Sequence, residues 1–150
     1  MKPIIQFVSK ALKHVKKKPE IYVEMDLIFD NDYDVYTISK VLNIEPTSCQ
    51  RKHETRISPI TNKQNPGFWT LSSCHYESWE LDDALTEIIH EIEDKIEPIK
   101  KICEMNSGKV KFSFVCIFTS ESVPCLYFDQ RFLDIVHRLG ADIEFDLYVN

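Results

Sequence analysis

From Ile21 to Phe29 the chain alternates without a break. Ile21, Val23, Met25, Leu27 and Phe29 fall on one side, and Tyr22, Glu24, Asp26 and Ile28 on the other. Successive side chains of a strand point to opposite faces, so this pattern describes a strand with one buried face. It returns in 109–119, where Val110, Phe112, Phe114, Cys116 and Phe118 share a side, and in 142–149, where Ile143, Phe145, Leu147 and Val149 do. Three such strands require a sheet covered on one side only. Val110, Phe112, Phe114, Phe118, Phe145 and Leu147 are the expected strand contribution to the core, with Ile88 and Ile92 facing them from a helix.

The segments between these strands read as helices. Asp34 is placed to cap a short helix over Val35–Leu42, with Val35, Ile38 and Leu42 inward, and Pro46 prevents its continuation. Leu81, Leu85, Ile88, Ile92, Ile96, Ile99 and Cys103 keep a helical period from Glu80 to about Cys103, and Pro98 predicts a kink or an early stop. Asp129 caps a last helix that runs to Leu139 and is closed by Gly140. Thr55–Ile60, weakened by Pro59, and Phe68–Tyr76 form the expected arms of a hairpin. Trp69 is expected to be at least half buried, with an acceptor for its indole N–H. The order is β-α-β-β-α-β followed by α-β. That is an α+β, ferredoxin-like two-layer α/β sandwich with a mostly antiparallel sheet.

Ahead of this single α/β domain, assigned to 20–150, stands a basic amphipathic helical head, 1–19. Ile4, Val8, Ala11 and Val15 line one side of it and Lys10, Lys13 and Lys17 the other. Residues 1–18 hold six lysines and no acid, whereas the whole chain has a formal charge of −6. The body is therefore strongly acidic and repels nucleic acid. The head is expected to dock on protein. An anionic membrane surface, met through Lys10, Lys13 and Lys17, is the weaker alternative. No apolar run reaches the roughly 20 residues of an integral membrane span. Five widely spaced cysteines read as free thiols, and no signal peptide is evident, so a cytoplasmic location is expected. Three glycines in the whole chain exclude a glycine-rich phosphate loop.

Leu42-Asn43-Ile44-Glu45-Pro46-Thr47 after a strand and a helix, the Phe68-Trp69 pair opening a strand, a long amphipathic helix, and Asp146 and Tyr148 in a terminal strand form a recognisable series. Over about residues 21–150 it resembles the bacterial family known as domain of unknown function 4279. The family pattern has a glycine after the lysine that follows Pro-Thr. Here His53 follows Lys52, which implies a differently built loop. The resemblance implies one small α/β domain and supplies no catalytic residue.

Candidate chemistry is sparse. Glu87, His90, Glu91 and Asp94 share a helix face, but the zinc-helix pattern lacks its second histidine, and no metal site is predicted. Cys74 and His75 are adjacent strand residues on opposite faces and form no nucleophile–base pair. Cys49 and His53 share a loop without a third orienting group. The open sheet face is more promising. Tyr22, Glu24, Asp26, Glu144, Asp146 and Tyr148, with Asp142, are expected on it by parity, and Thr70, Ser72 and Tyr76 join them if Trp69 and Leu71 point inward. Clustered carboxylates attract a cation or a basic partner. The expected function is a binding module without cofactor or catalytic residues. It engages a protein partner, in an immunity-like role, through this acidic face or the 47–66 loop, and a second copy of the chain is a further candidate partner. The alternative is a small enzyme that uses the carboxylate–tyrosine cluster. An open surface favours the first; a cleft holding carboxyls with raised pKa values favours the second.

Overall fold

The computed structural model describes residues 16–150. The head helix expected over Pro3–Lys18 falls outside the described residues except at its end, where 16–19 carry no regular structure. Pro19 disfavours helix at the residue before it.

Among the described residues, six strands form one open sheet: β1 (Glu20–Phe29), β2 (Ser48–Gln50), β3 (Gly67–Ser72), β4 (Tyr76–Glu77), β5 (Gly108–Phe118) and β6 (Asp142–Val149). Their order is β2-β3-β1-β5-β6, with β4 paired to one end of β1. Every pairing is antiparallel except β5 with β6. That parallel pair needs a crossover, supplied by helix α4 (Gln130–Leu139). Three further helices, α1 (Tyr36–Leu42), α2 (Asp82–Ile92) and α3 (Ile96–Asn106), complete a mixed α+β fold. No helix among the described residues is long and apolar enough to cross a membrane.

One core joins the apolar side of β1 and β5 to the buried sides of all four helices. The five odd residues of β1 are completely buried. Phe132 of α4 meets Phe112 and Phe114 edge-on, with ring centroids 5.1 and 5.7 Å apart, and this fixes α4 over β5. Asp129 caps α4 by accepting from the Phe132 amide at 2.9 Å, and Gly140 closes it at φ 58°. Trp69 is fully buried, and its indole N–H donates to Ser39 Oγ at 3.0 Å.

The structure corrects several expectations. The helix expected from Glu80 to Cys103 is two helices, broken at 93–95 where Lys95 leaves helical geometry (φ −113°, ψ 6°). Pro98 lies in the first turn of α3, where its missing N–H has no intrahelical partner to lose. Thr55–Ile60 is not a sheet strand; the edge is β2, and 55–65 forms a loop with one bridge, Ile57 to Gln64. Tyr76 leaves the open face. Ser72 pairs with Glu24 but Tyr76 with Ile21, so four steps along one chain match three along the other. The extra residue is absorbed at Ser73, whose hydroxyl accepts from the Val23 amide at 3.0 Å while its own amide donates to the Val23 carbonyl at 2.8 Å. Finally, Phe145 and Leu147 point to the helical side but are 38% and 48% exposed, and Val149 63%. β6 is an edge strand, with β5 as its one neighbour among the described residues.

Candidate functional site

The open face is laid out by register. Glu24, Ser113 and Glu144 stand in one row across β1, β5 and β6; Asp26, Lys111 and Asp142 in the next; Tyr22, Val115 and Asp146 in the row on the other side, followed by Glu20, Ile117 and Tyr148. Cross-strand partners point to the same face. Tyr22, Glu24, Asp26, Glu144, Asp146 and Tyr148 therefore share one side of the sheet, with the acids of β1 and β6 two strand spacings, roughly 10 Å, apart. Ser113 and Val115, on the middle strand between these two sets, are buried.

Lys111 holds the two sets of acids together. Its ammonium is 2.9 Å from Glu144 and 3.9 Å from Asp26. Glu144, and then Asp26, push the lysine pKa up, so it stays charged. Asp26 also accepts from Thr70 Oγ1 at 2.5 Å, and Glu24 accepts from Ser72 Oγ at 3.3 Å. Glu24 is nevertheless held above the ordinary carboxylate range, first by burial and then by the charge of Asp26. Burial and the surrounding acids raise the Tyr22 phenol as well, which keeps it a hydrogen-bond donor. Tyr22 stacks on His75 at 4.1 Å, and His75 Nδ1 lies 2.6 Å from Glu20.

At the β2 end of the face the sheet and the loop enclose an open cleft of about 510 Å³. Asp26, Ile28, Phe68 and Thr70 form its floor, and Gln50, Glu54, Arg56 and Asn65 its rim. The loop is fastened from behind by three consecutive bases against an alternating acidic turn. Arg51 Nε reaches Asp34 at 3.0 Å, the Lys52 ammonium donates to the Asp30 carbonyl, and His53 Nδ1 lies 2.8 Å from Asp32. Tyr36 donates to Glu54 at 2.7 Å. Arg51 pulls the Asp34 pKa down, His53 that of Asp32, and Tyr36 that of Glu54. Arg56, on the rim, makes no ion pair among the described residues.

Other sequence candidates are dispersed. Glu87 turns away from the helix surface to accept from the Cys74 amide at 3.0 Å and from Tyr76 Oη at 2.6 Å, which pushes the tyrosine up to about 12. Cys49 packs against the core with its thiol pKa raised by burial, while His53 is engaged by Asp32. The cleft itself escaped sequence reasoning, because Ser48–Gln50 is too short to show alternation. The only signal for the loop fastening was the run Arg51-Lys52-His53 set against Asp30, Asp32 and Asp34.

The Leu42–Thr47 motif joins α1 to the sheet edge. Asn43 ends α1 at φ 53°, a left-handed position that favours glycine or asparagine, and Ile44 drops into the core. Thr47 then ties β2 to β3 by accepting from the Ser72 amide at 2.8 Å and donating its own amide to the Thr70 carbonyl at 2.8 Å. His53 does not adopt a positive φ, so this chain has no need of a glycine there. Comparison with curated proteins and with solved structures finds no match to the chain. Its motif, its one-sided sheet and a match over residues 19–150 place the chain in the family described as Domain of unknown function, DUF4279.

Proposed function

We propose that this protein is a cytoplasmic binding module that engages a basic protein partner through the open sheet face, with the 47–66 loop forming one wall of the contact. The observation that carries this reading is the register of β1, β5 and β6. It sets Glu24, Asp26, Asp142, Glu144 and Asp146 on one face against only Lys109 and Lys111. Such a face steers and orients a cationic partner, and its effect fades as salt screens it. A small acidic protein that neutralises a basic toxin, an immunity-like role, is the form this takes. The order β5-β1-β3-β2, antiparallel throughout, supports a ferredoxin-like reading of the first six major elements, with α4–β6 as an extension.

The test is calorimetric titration of a lysine-rich peptide into wild type and into the Glu24→Gln/Asp146→Asn double variant. Wild type is expected to bind more tightly, by about tenfold at low salt, and to lose the advantage in high salt. Equal affinities would leave the face as plain solvated surface. The small-enzyme reading keeps one observation in its favour, the raised carboxyl of Glu24 next to Asp26, which lines the cleft.

A further inference from the structure

β6 presents an unusual edge. Its outer side has no partner strand among the described residues, although eight residues run there without a proline or a lysine. Natural edges are commonly blunted by such residues or kept short; β2, at the opposite edge, has three residues. The Asn150 amide donates to the Phe118 carbonyl at 2.9 Å. In a parallel ladder this turns the backbone groups of the even residues toward β5 and those of Ile143, Phe145, Leu147 and Val149 outward. The outward amides thus belong to the residues whose apolar side chains stand half exposed on the helical side. On the other side stand Asp142, Glu144 and Asp146.

We propose that β6 captures a strand of the partner by edge pairing, and that this strand alternates basic with apolar residues. The inference rests on the open-face reading and names the element through which the partner enters. A strand laid beside β6 sends alternate side chains to the two faces. One set meets Asp142, Glu144 and Asp146, which lysine or arginine complements; the other meets Phe145, Leu147 and Val149, which aliphatic side chains cover. Charge selects this occupant over a second copy. Two β6 strands paired about a two-fold axis at Phe145 would set Glu144 against Asp146 of the other copy twice over, and like charges directly opposite destabilise a ladder. In that register the acids of β6 discourage self-pairing, and they invite a cationic strand.

The probe is an eight-residue peptide of alternating lysine and valine, titrated into the full chain while amide exchange is followed on β6. Protection of the Phe145 and Leu147 amides on addition of peptide is expected. Binding should fall about tenfold when glutamate replaces lysine in the peptide, or when the peptide amides facing β6 are N-methylated. The variant Leu147→Pro removes one outward N–H, leaves the ladder to β5 intact, and should weaken binding similarly. Binding that is lost in Glu24→Gln/Asp146→Asn but indifferent to N-methylation and to Leu147→Pro would overturn edge pairing and leave the open-face reading standing. Binding indifferent to all of these changes would overturn both. Protection of Phe145 and Leu147 before any peptide is added would also overturn the proposal. If it grew with protein concentration the occupant would be a second copy; if it did not, a segment of the same chain.

Discussion

β1 and β6 are written in the same pattern, apolar residues at odd positions and, Ile28 apart, polar or acidic ones at even, yet they have different fates. Every odd residue of β1 is completely buried, whereas Phe145, Leu147 and Val149 range from 38% to 63% exposed. Both strands turn their apolar side to the helices. The difference lies in their neighbours. β1 is flanked by β3 and β5 and sits beneath the helices, whereas among the described residues β6 has β5 on one side only. Alternation fixes which way a side chain points; the number of elements around the strand fixes how deep it goes. Apolar surface left out in this way, on an unpaired edge, is the kind that marks a contact site.

The largest effect that tests this contrast is core truncation. Leu27→Ala should cost about 2–5 kcal/mol, since it opens a cavity in a fully buried row. Leu147→Ala should cost about 1 kcal/mol or less, because half of that side chain already meets water. Urea denaturation of the two variants decides it, and similar losses would mean that β6 is covered in solution. A smaller effect concerns the link between the strands. Lys111→Met leaves Asp26 and Glu144 without their shared cation and should cost about 1 kcal/mol at neutral pH, as for a partly exposed pair. The loss should shrink at high salt, which screens the pair, and a loss unchanged with salt would assign Lys111 a packing role only.

The smallest effects are in pH dependence, and they differ in sign between two regions. In the loop fastening, the pKa values of Asp32, Asp34 and Glu54 are lowered by their partners. Their contribution is present above the ordinary carboxylate range, near pH 4, and is lost as pH falls through the depressed values. Glu24 is raised, so it costs stability above its folded pKa, and that cost disappears as pH falls below the ordinary glutamate value. Glu24→Gln should therefore gain stability relative to wild type at pH 7 and lose that gain at pH 4, whereas His53→Ala should be more harmful at pH 7 than at pH 3. Thermal melts across this range provide the measurement, and parallel curves for Glu24→Gln and wild type would contradict the assignment.

Much of this was legible in the residues. β6 runs from Asp142 to Val149 as the alternation predicts, β1 begins one residue early at Glu20 and ends as expected, β5 is displaced by one residue, and Asp129 and Gly140 bound α4. These elements carry their own local signals: period, cap and left-handed stop. The rest depends on distant partners. Ser48–Gln50 becomes a strand because Thr47 and β3 hold it there, not because of its composition. The break at 93–95 precedes Pro98, where a reading based on proline alone looks too late. The acidic face followed from parity, but the cleft beside it required the loop to fold back, through contacts between residues 17 to 22 positions apart.

The extra residue absorbed at Ser73 acts as a phase shift. Up to Ser72 the chain is in step with β1 and serves the open face, where Ser72 holds Glu24; three residues beyond the shift, Tyr76 serves the helical layer and holds Glu87. One continuous segment thus anchors an acid in each layer, and it does so because four steps along it answer three along β1. Changes in length at this bend should be felt by parity rather than by size. Two residues inserted between Ser73 and Tyr76 preserve the phase; one residue inserted there, with the bulge retained, sends the Tyr76 ring to the wrong layer and leaves Glu87 without its phenol.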